Sequence, residues 1–475
     1  MKKIPTDQIL KRVQAENIWW EEPNTIPKLF QGFRPRAYLS LLEPLLQKWD
    51  PHRAIVFMGP RRVGKTVMIH HAIRNLLNKG ISPKKICYFS VDHPLYTGRS
   101  LEELLEFYKQ ATSTDYENEK CYIFFDEIQY LKNWEIHLKV IVDNFRTIKC
   151  LVSGSAAAAL RLKSIESGAG RFTNFLLPPL TFHEYLELLD LDYLIEREKH
   201  PLDFYSTNDI AQLNQHFIHY MNFGGYPEVI FSKEIQSDPG RFIKSDIVDK
   251  VLLRDLPGLY GIQDIQELNH LFTTLAFNTA NEVSIEELSK GSGVAKNTIK
   301  RYIEYLEAAF LIKIIHRIDK NSRRFKRANF FKVYLTNPSI RSALFTPVKQ
   351  GDEFIGHLAE TAIFAQWFHS NTELHYARWK TGEIDIVNID YESEHNWAVE
   401  VKWSDRFINR PFDLKNVYQF CHANNLKKIT VTTLTKTDER TINNVDISFL
   451  PASLYCYTVG YNLVKAKNAK EYEKV

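Results

Sequence analysis

The stretch that most restricts how this chain can fold is Ala54 to Arg74, AIVFMGPRRVGKTVMIHHAIR. A β-rich apolar run, Ile55-Val56-Phe57-Met58, enters Gly59-Pro60-Arg61-Arg62-Val63-Gly64-Lys65-Thr66. That octet matches G-x-x-x-x-G-K-[ST], and a helix-like segment, Val67 to Leu77, follows at once. Strand, loop and helix in this order are the context in which the motif wraps phosphates. The glycines let backbone N–H groups turn toward the β- and γ-phosphates, and a Cβ at Gly64 would obstruct that turn. The helix N-terminus adds partial positive charge. Lys65 is expected to reach the terminal phosphates and Thr66 to ligate Mg²⁺. Gly59 to Thr66, with Val67 opening the helix, are therefore the expected nucleotide cradle.

At 475 residues the chain has length for several domains, and 44% apolar with 25% charged residues is ordinary globular composition. The net charge of +4 rules out a polycation, so any nucleic-acid surface must be a local patch. Cys87, Cys121, Cys150, Cys421 and Cys456 show no C-x-x-C or Cys/His ligand spacing, which argues against a zinc site or a disulfide framework. No apolar stretch approaches membrane-spanning length, and MKKIPTDQIL lacks the apolar segment of a signal peptide. The chain reads as cytoplasmic, with no membrane partner.

Residues 1–50 read as an N-terminal helical arm, whose Trp19-Trp20 pair is suited to packing on a core. Strands and helices then alternate. Lys85–Val91 reads as a strand and Leu101–Gln110 as a helix. Lys120–Phe125 is the next strand and closes in Asp126-Glu127, sixty residues on from Thr66. Asp126 is placed to hold Mg²⁺ and Glu127 to polarise an attacking water. Thr147–Val152 is a further strand, ending in Ser153-Gly154-Ser155. Ser153 and Ser155 are candidates for sensing the γ-phosphate, with a helix cap the alternative for Ser155. Arg171 suits neutralising the transferring phosphoryl group, in its own subunit or a neighbour's, and suits a surface salt bridge equally. The alternation predicts an α/β fold with a parallel sheet covered by helices.

The segments GPRRVGKT, YFSVDHP, YIFFDEIQYLKNWEIHLK, LVSGSAAAAL, GRFTNFLLPPLTFHEYL and GGYPEVI resemble a family of prokaryotic AAA+-type ATPases. These have an archaeal-type ATPase core related to the STAND class of switches, and a C-terminal domain of uncharacterised function. The resemblance covers nearly the whole chain. It implies a P-loop core over residues 51–185, ATP rather than GTP as ligand, and Mg²⁺ as cofactor. A homo-oligomer and a protein partner are both compatible with it.

Residues 186–278 are apolar-periodic and read as a helical lid, interrupted by the turn Gly224-Gly225-Tyr226-Pro227-Glu228, which matches a family element without assignable chemistry. Residues 279–345 read as a winged helix. A short helix from Ser284, a turn at Gly291-Ser292-Gly293 and a second helix, Lys296–Phe310, precede a strand pair joined by the basic run KNSRRFKR. Lys296, Asn297, Lys300 and Arg301 are expected on the outer face of the second helix, and Arg323, Arg324, Lys326 and Arg327 on the wing. Such cations suit DNA phosphates more than base edges. A protein spacer is the alternative. Asn337 stands where the family leads one to expect aspartate.

Residues 346–475 form a further α/β unit. Glu360 lies in an aromatic helix, Asp385 in one strand, and Glu400 and Lys402 in the next, where alternation points both to one side. Two carboxylates and a lysine at one sheet edge are able to bind Mg²⁺ and activate water against a phosphodiester. The arrangement resembles the PD-(D/E)xK nuclease fold, with Asp385, Glu400 and Lys402 on its motif and Glu360 as the helical carboxylate. The competing reading is that these charges pair with one another. The whole chain is thus expected to be an ATP-hydrolysing, Mg²⁺-dependent ATPase acting on or regulated by DNA. Its C-terminal part is either a nuclease or a regulatory module that binds a partner without cutting.

Overall fold

The computed structural model describes residues 5–154, 170–196, 205–324, 329–370, 372–389 and 396–465. Ser155, Lys326 and Arg327 lie outside them. The chain divides into two compact units, at Leu177/Pro178.

The first unit is built on five strands: β1 (Ala54–Met58), β2 (Ile86–Ser90), β3 (Cys121–Asp126), β4 (Ile148–Gly154) and β5 (Phe172–Leu176). Their spatial order is β2-β3-β4-β1-β5, and every pairing is parallel. β1, β3 and β4 are buried along their whole length, as expected of strands covered on both faces. Because the strands run the same way, Met58, Ser90, Asp126 and Gly154 all end at one edge of the sheet, where ligands of open α/β sheets bind. β5 is not apparent in the sequence, since its FTNFL is only partly buried and shows no clean apolar run.

The N-terminal arm covers the exposed edge at β2. The helix Thr6–Glu16 ends in Asn17, whose amide donates to the Tyr88 carbonyl at 2.9 Å and accepts from the Tyr88 N–H at 2.7 Å. One side chain thus mimics a neighbouring strand. Trp19 and Trp20 both donate to the Ile86 carbonyl, at 3.0 and 2.8 Å. Glu16 is carried into the interior by the same helix, with Tyr96 donating to it at 2.7 Å and Arg12 paired to it at 2.6 Å. Burial outweighs both partners and raises its carboxyl from 4.5 to about 7.

The second unit contains a small pair, β6 (Ile195–Glu196) and β7 (Ser206–Thr207), and one nine-stranded sheet. That sheet comprises β8 (Glu282–Ser284), β9 (Ile312–Ile318), β10 (Phe330–Leu335), β11 (Leu374–Trp379), β12 (Gly382–Asn388), β13 (Trp397–Glu400), β14 (Lys428–Thr433), β15 (Asp438–Ile442) and β16 (Val445–Pro451). The order is β15-β16-β14-β13-β12-β11-β9-β10-β8. Here the structure departs from the expected boundaries. β9 pairs in parallel with β11, so the strands after the helix-turn-helix segment and those of the C-terminal part are one sheet. The helices expected as a separate lid also share a core with them. Tyr185, Phe217 and Tyr220 are buried in one apolar cluster with Tyr334, Leu358, Phe364 and Cys456.

The Gly224-Gly225 turn acquires a physical reason. A Cβ on Gly225 would lie 2.6 Å from both Asn337 Oδ1 and Ser339 Oγ. Asn337 is fully buried and accepts the Ser339 N–H at 2.9 Å, while Gly225 O accepts from Leu180 N at 2.9 Å. Gly225→Ala is therefore expected to destabilise the second unit by about 1–3 kcal/mol through overpacking, read as a lower denaturation midpoint. For Glu16 the native state keeps a proton that the unfolded chain releases near 4.5. Stability of the first unit falls as pH rises from about 4.5 to about 7 and is level above that. Glu16→Gln should flatten this segment of the pH–stability curve measured by urea unfolding.

Candidate functional site

β1 delivers the loop Gly59–Gly64 to the C-terminal edge of the first sheet, and the helix Lys65–Asn78 leaves from it. Two backbone features require glycine. A Cβ on Gly59 would stand 2.3 Å from the Leu177 carbonyl oxygen, and Gly64 has φ +93°, in the left-handed region. Arg62 is also left-handed, at φ +63°. Buried Arg36, from the arm, donates to the Val63 carbonyl at 2.7 Å and holds the loop from behind. Pro60, Arg61 and Val67 complete the segment, with Val63 buried beneath it.

Lys65 is buried and folded back on its own loop, donating to the carbonyls of Gly59 at 3.0 Å and Pro60 at 2.8 Å. Burial lowers its ammonium to about 8, against the opposing pull of Glu127 and Asp126. The carboxylate of Asp126 is the meeting point of the site. Thr66 Oγ1 donates to its Oδ2 at 2.7 Å, Tyr88 Oη to the same oxygen at 2.9 Å, and Ser153 Oγ to its Oδ1. Ser153 reaches it because β4 lies between β1 and β3, with Ser153 opposite Phe57 and one step from the Phe125–Val152 pair. Glu127 follows in a left-handed conformation, φ +56°, with its carboxylate accepting from Gln129. Beneath the loop, His70 donates Nδ1–H to the Thr66 carbonyl at 2.9 Å and packs at a tilt between the rings of Phe30 and Tyr88. Burial lowers it to about 4, so the imidazole is neutral.

Tyr88 is the residue of this site that sequence reasoning missed. Its signal is slight: a tyrosine in an apolar strand, KICYFSV, two residues before the strand end. Arg171 is a correction. It precedes β5, whose Phe172 pairs with Ala54 at the start of β1. It therefore stands at the opposite end of the sheet from the phosphate loop, about 13 Å of strand away. Its Nε pairs with Asp143 at 2.7 Å on the surface, and a role on the phosphoryl group of its own subunit does not stand.

In the second unit, Glu360, Asp385, Glu400 and Lys402 do converge, but around a residue the sequence reading did not include. Lys332, on β10, is buried and extends past Tyr376 with its ammonium 5.6 Å from that ring. It meets Glu383 at 2.6 Å, Glu360 at 2.9 Å and Asp385 at 3.3 Å. Tyr334 donates to the same Glu360 oxygen at 2.6 Å. Lys402 pairs with Glu400 at 2.7 Å and lies 3.6 Å from Asp385, which also accepts the Val401 N–H at 2.9 Å. Burial raises the carboxyls of Glu400 and Glu360. Burial also opposes ionisation of Asp385, but Lys402, Lys332 and the Val401 N–H together hold it below its usual value. Among the described residues no group of three or more His, Cys, Asp or Glu is disposed to hold a metal ion. The expected metal ligands Glu360, Asp385 and Glu400 are thus brought together in an ion-pair cluster with Lys332 and Lys402, in which Glu400 Oε2 is buried without a hydrogen-bond partner among the described residues.

The parallel five-stranded sheet of the first unit and its loop fit a P-loop NTPase fold. Residues 51–186 match the family model described as AAA domain, and residues 214–350 match one described as Domain of unknown function (DUF8612). Uncharacterized protein MJ1544 of Methanocaldococcus jannaschii is 26% identical over 400 residues, spanning 81% of this chain and 83% of that protein. An uncharacterized protein of Haemophilus influenzae is 23% identical over 354 residues, 73% of this chain and 82% of its own length. Among solved structures, the Walker-type ATPase paby2304 of Pyrococcus abyssi aligns with a TM-score of 0.40 at 17% identity, covering 66% of this chain and 99% of that one. AMPPCP-bound DnaA from Aquifex aeolicus aligns with a TM-score of 0.25 at 15% identity, covering 57% and 86%. No described helix is long and apolar enough to cross a membrane.

Proposed function

We propose that this chain is an ATP-hydrolysing, Mg²⁺-dependent ATPase of AAA type that acts on, or is regulated by, DNA. The observation that carries the reading is the convergence of Lys65, Thr66 and Ser153 with the Asp126 carboxylate at one edge of a parallel sheet. The donor set fits the cofactor. A threonine hydroxyl and a carboxylate already in contact are the ligand types Mg²⁺ takes beside phosphate oxygens. When bound, Mg²⁺ would be held by Thr66 and Asp126 and would neutralise charge on the β- and γ-phosphates. Lys65 exchanges two loop carbonyls for phosphate oxygens. Glu127 orients water for attack on the γ-phosphorus and accepts its proton, and Ser153 reports the γ-phosphate to β4.

The DNA element of this reading is the helix Lys296–Ala308. Ile299, Tyr302, Ile303 and Leu306 are buried on one side, and Lys296, Asn297, Lys300 and Arg301 are exposed on the other. The order of helix Ile265–Phe277, β8, helix Ile285–Ser292, helix Lys296–Ala308, β9 and β10 supports a winged helix. On the wing, Arg324 is paired with Glu373 at 2.6 Å and Arg323 is exposed. The C-terminal sheet enters as a module that binds a partner without cutting. A nuclease would need a metal among carboxylates that already share an ammonium.

Phosphate release measured with ATP and Mg²⁺ tests the reading. Lys65→Ala should abolish turnover. Glu127→Gln should retain nucleotide binding while turnover drops about 10²–10⁴-fold. If purified wild-type protein neither binds nor hydrolyses ATP, the reading fails. Lys300→Glu with Arg301→Glu should weaken DNA binding across sequences and reduce its salt slope by about 2. Unchanged affinity at several salt concentrations would remove DNA from the account.

A further inference from the structure

We infer that Lys332 is the resident cation of the Glu360, Glu383 and Asp385 pocket, standing where a metal-dependent site of this arrangement would hold a divalent ion. The geometry is that of a filled site. A lysine ammonium has three N–H donors, and here three carboxylates lie 2.6, 2.9 and 3.3 Å from it. The lysine side chain is only 3% exposed, and those of Glu360 and Asp385 are 9% and 11% exposed, so water has little access to these two carboxylates. Carried by β10, its ammonium lies 5.6 Å from the Tyr376 ring of β11 and meets Glu383 and Asp385 of β12 and Glu360 of the helix Ile355–Ala365. Lys402 completes the balance on the far side, beside Glu400 and Asp385.

Two consequences follow from charge and placement. The pocket has no need of a divalent cation, because its carboxylates are already compensated; a metal would have to displace a buried ammonium and leave it unpaired. The same ammonium ties the strand after the helix-turn-helix segment to the C-terminal strands, so it acts as a staple within the nine-stranded sheet. This inference concerns the second unit alone and does not depend on ATP hydrolysis.

The test uses the full chain without nucleotide, in wild type, Asp385→Asn, Lys332→Met and Lys332→Arg. Mn²⁺ binding is followed by electron paramagnetic resonance and stability by the thermal midpoint. Wild type is expected to show no Mn²⁺ binding that Asp385→Asn removes. Lys332→Met should lose roughly 10 °C or more in midpoint. Millimolar Mn²⁺ should leave the midpoint of the wild type unchanged. Asp385-dependent Mn²⁺ binding by wild type would overturn the inference. So would a Lys332→Met protein as stable as wild type. If Lys332→Met does not fold, folding of Lys332→Arg supports the charge role. If neither variant folds, the wild-type Mn²⁺ titration against Asp385→Asn decides alone.

Discussion

The first unit depends on one buried carboxylate and the hydroxyls that solvate it. Asp126 ends a strand that is buried along its whole length, and an ionised group there is costly unless fully hydrogen-bonded. Three hydroxyls meet that need: Thr66 from the phosphate-loop helix, Tyr88 from β2 and Ser153 from β4. The three hydroxyls come from successive positions 22 and 65 residues apart in sequence. The parallel order β2-β3-β4-β1 is what brings their ends together, so the sheet topology and the site are one constraint.

The two acidic clusters of this chain differ in the chemistry of what satisfies them. Around Asp126 the partners are neutral hydroxyls, which rotate and offer a lone pair to an arriving cation as readily as a proton to the carboxylate. Around Asp385 the partners are ammonium groups, which carry only donors and full positive charge. The first arrangement leaves room in the electrostatic balance for Mg²⁺ with a triphosphate. The second has spent that room on lysine. Both clusters present carboxylates ending or flanking strands, so residue types alone do not separate them; the charge of the neighbours does.

That distinction also marks what was legible in the residues. Gly59 to Thr66 and the Asp126-Glu127 pair were readable because a local motif carries them and an apolar strand precedes each. Ser153 was readable from its place at a strand tip. Tyr88 and Lys332 were not, because each acts through a contact made by the sheet rather than by neighbours in sequence. Lys332 did leave a trace: FFKVYL is an apolar strand with one lysine at the same parity as Tyr334, and a lysine there needs a buried partner. Arg171 misled for the converse reason. Its position after the serine strand suggested the site, while the direction of β5 carries it to the other end of the sheet.

The same reasoning explains why segment boundaries drawn from sequence dissolve in the second unit. A helix-turn-helix followed by two strands reads as self-contained, since its local periodicities close on themselves. Yet β9 has a second edge, and β11 occupies it through His316–His375, Arg317–Tyr376 and Ile318–Ala377. Hydrogen bonding then continues without a break from β8 to β15. A displacement of the helix Lys296–Ala308 strong enough to move β9 must disturb either that parallel ladder or the Lys332 ion pairs. Backbone pairing and a buried charge network resist the same motion from two directions. Coupling between the helix and the C-terminal sheet is therefore a property of the sheet itself, present before any ligand arrives.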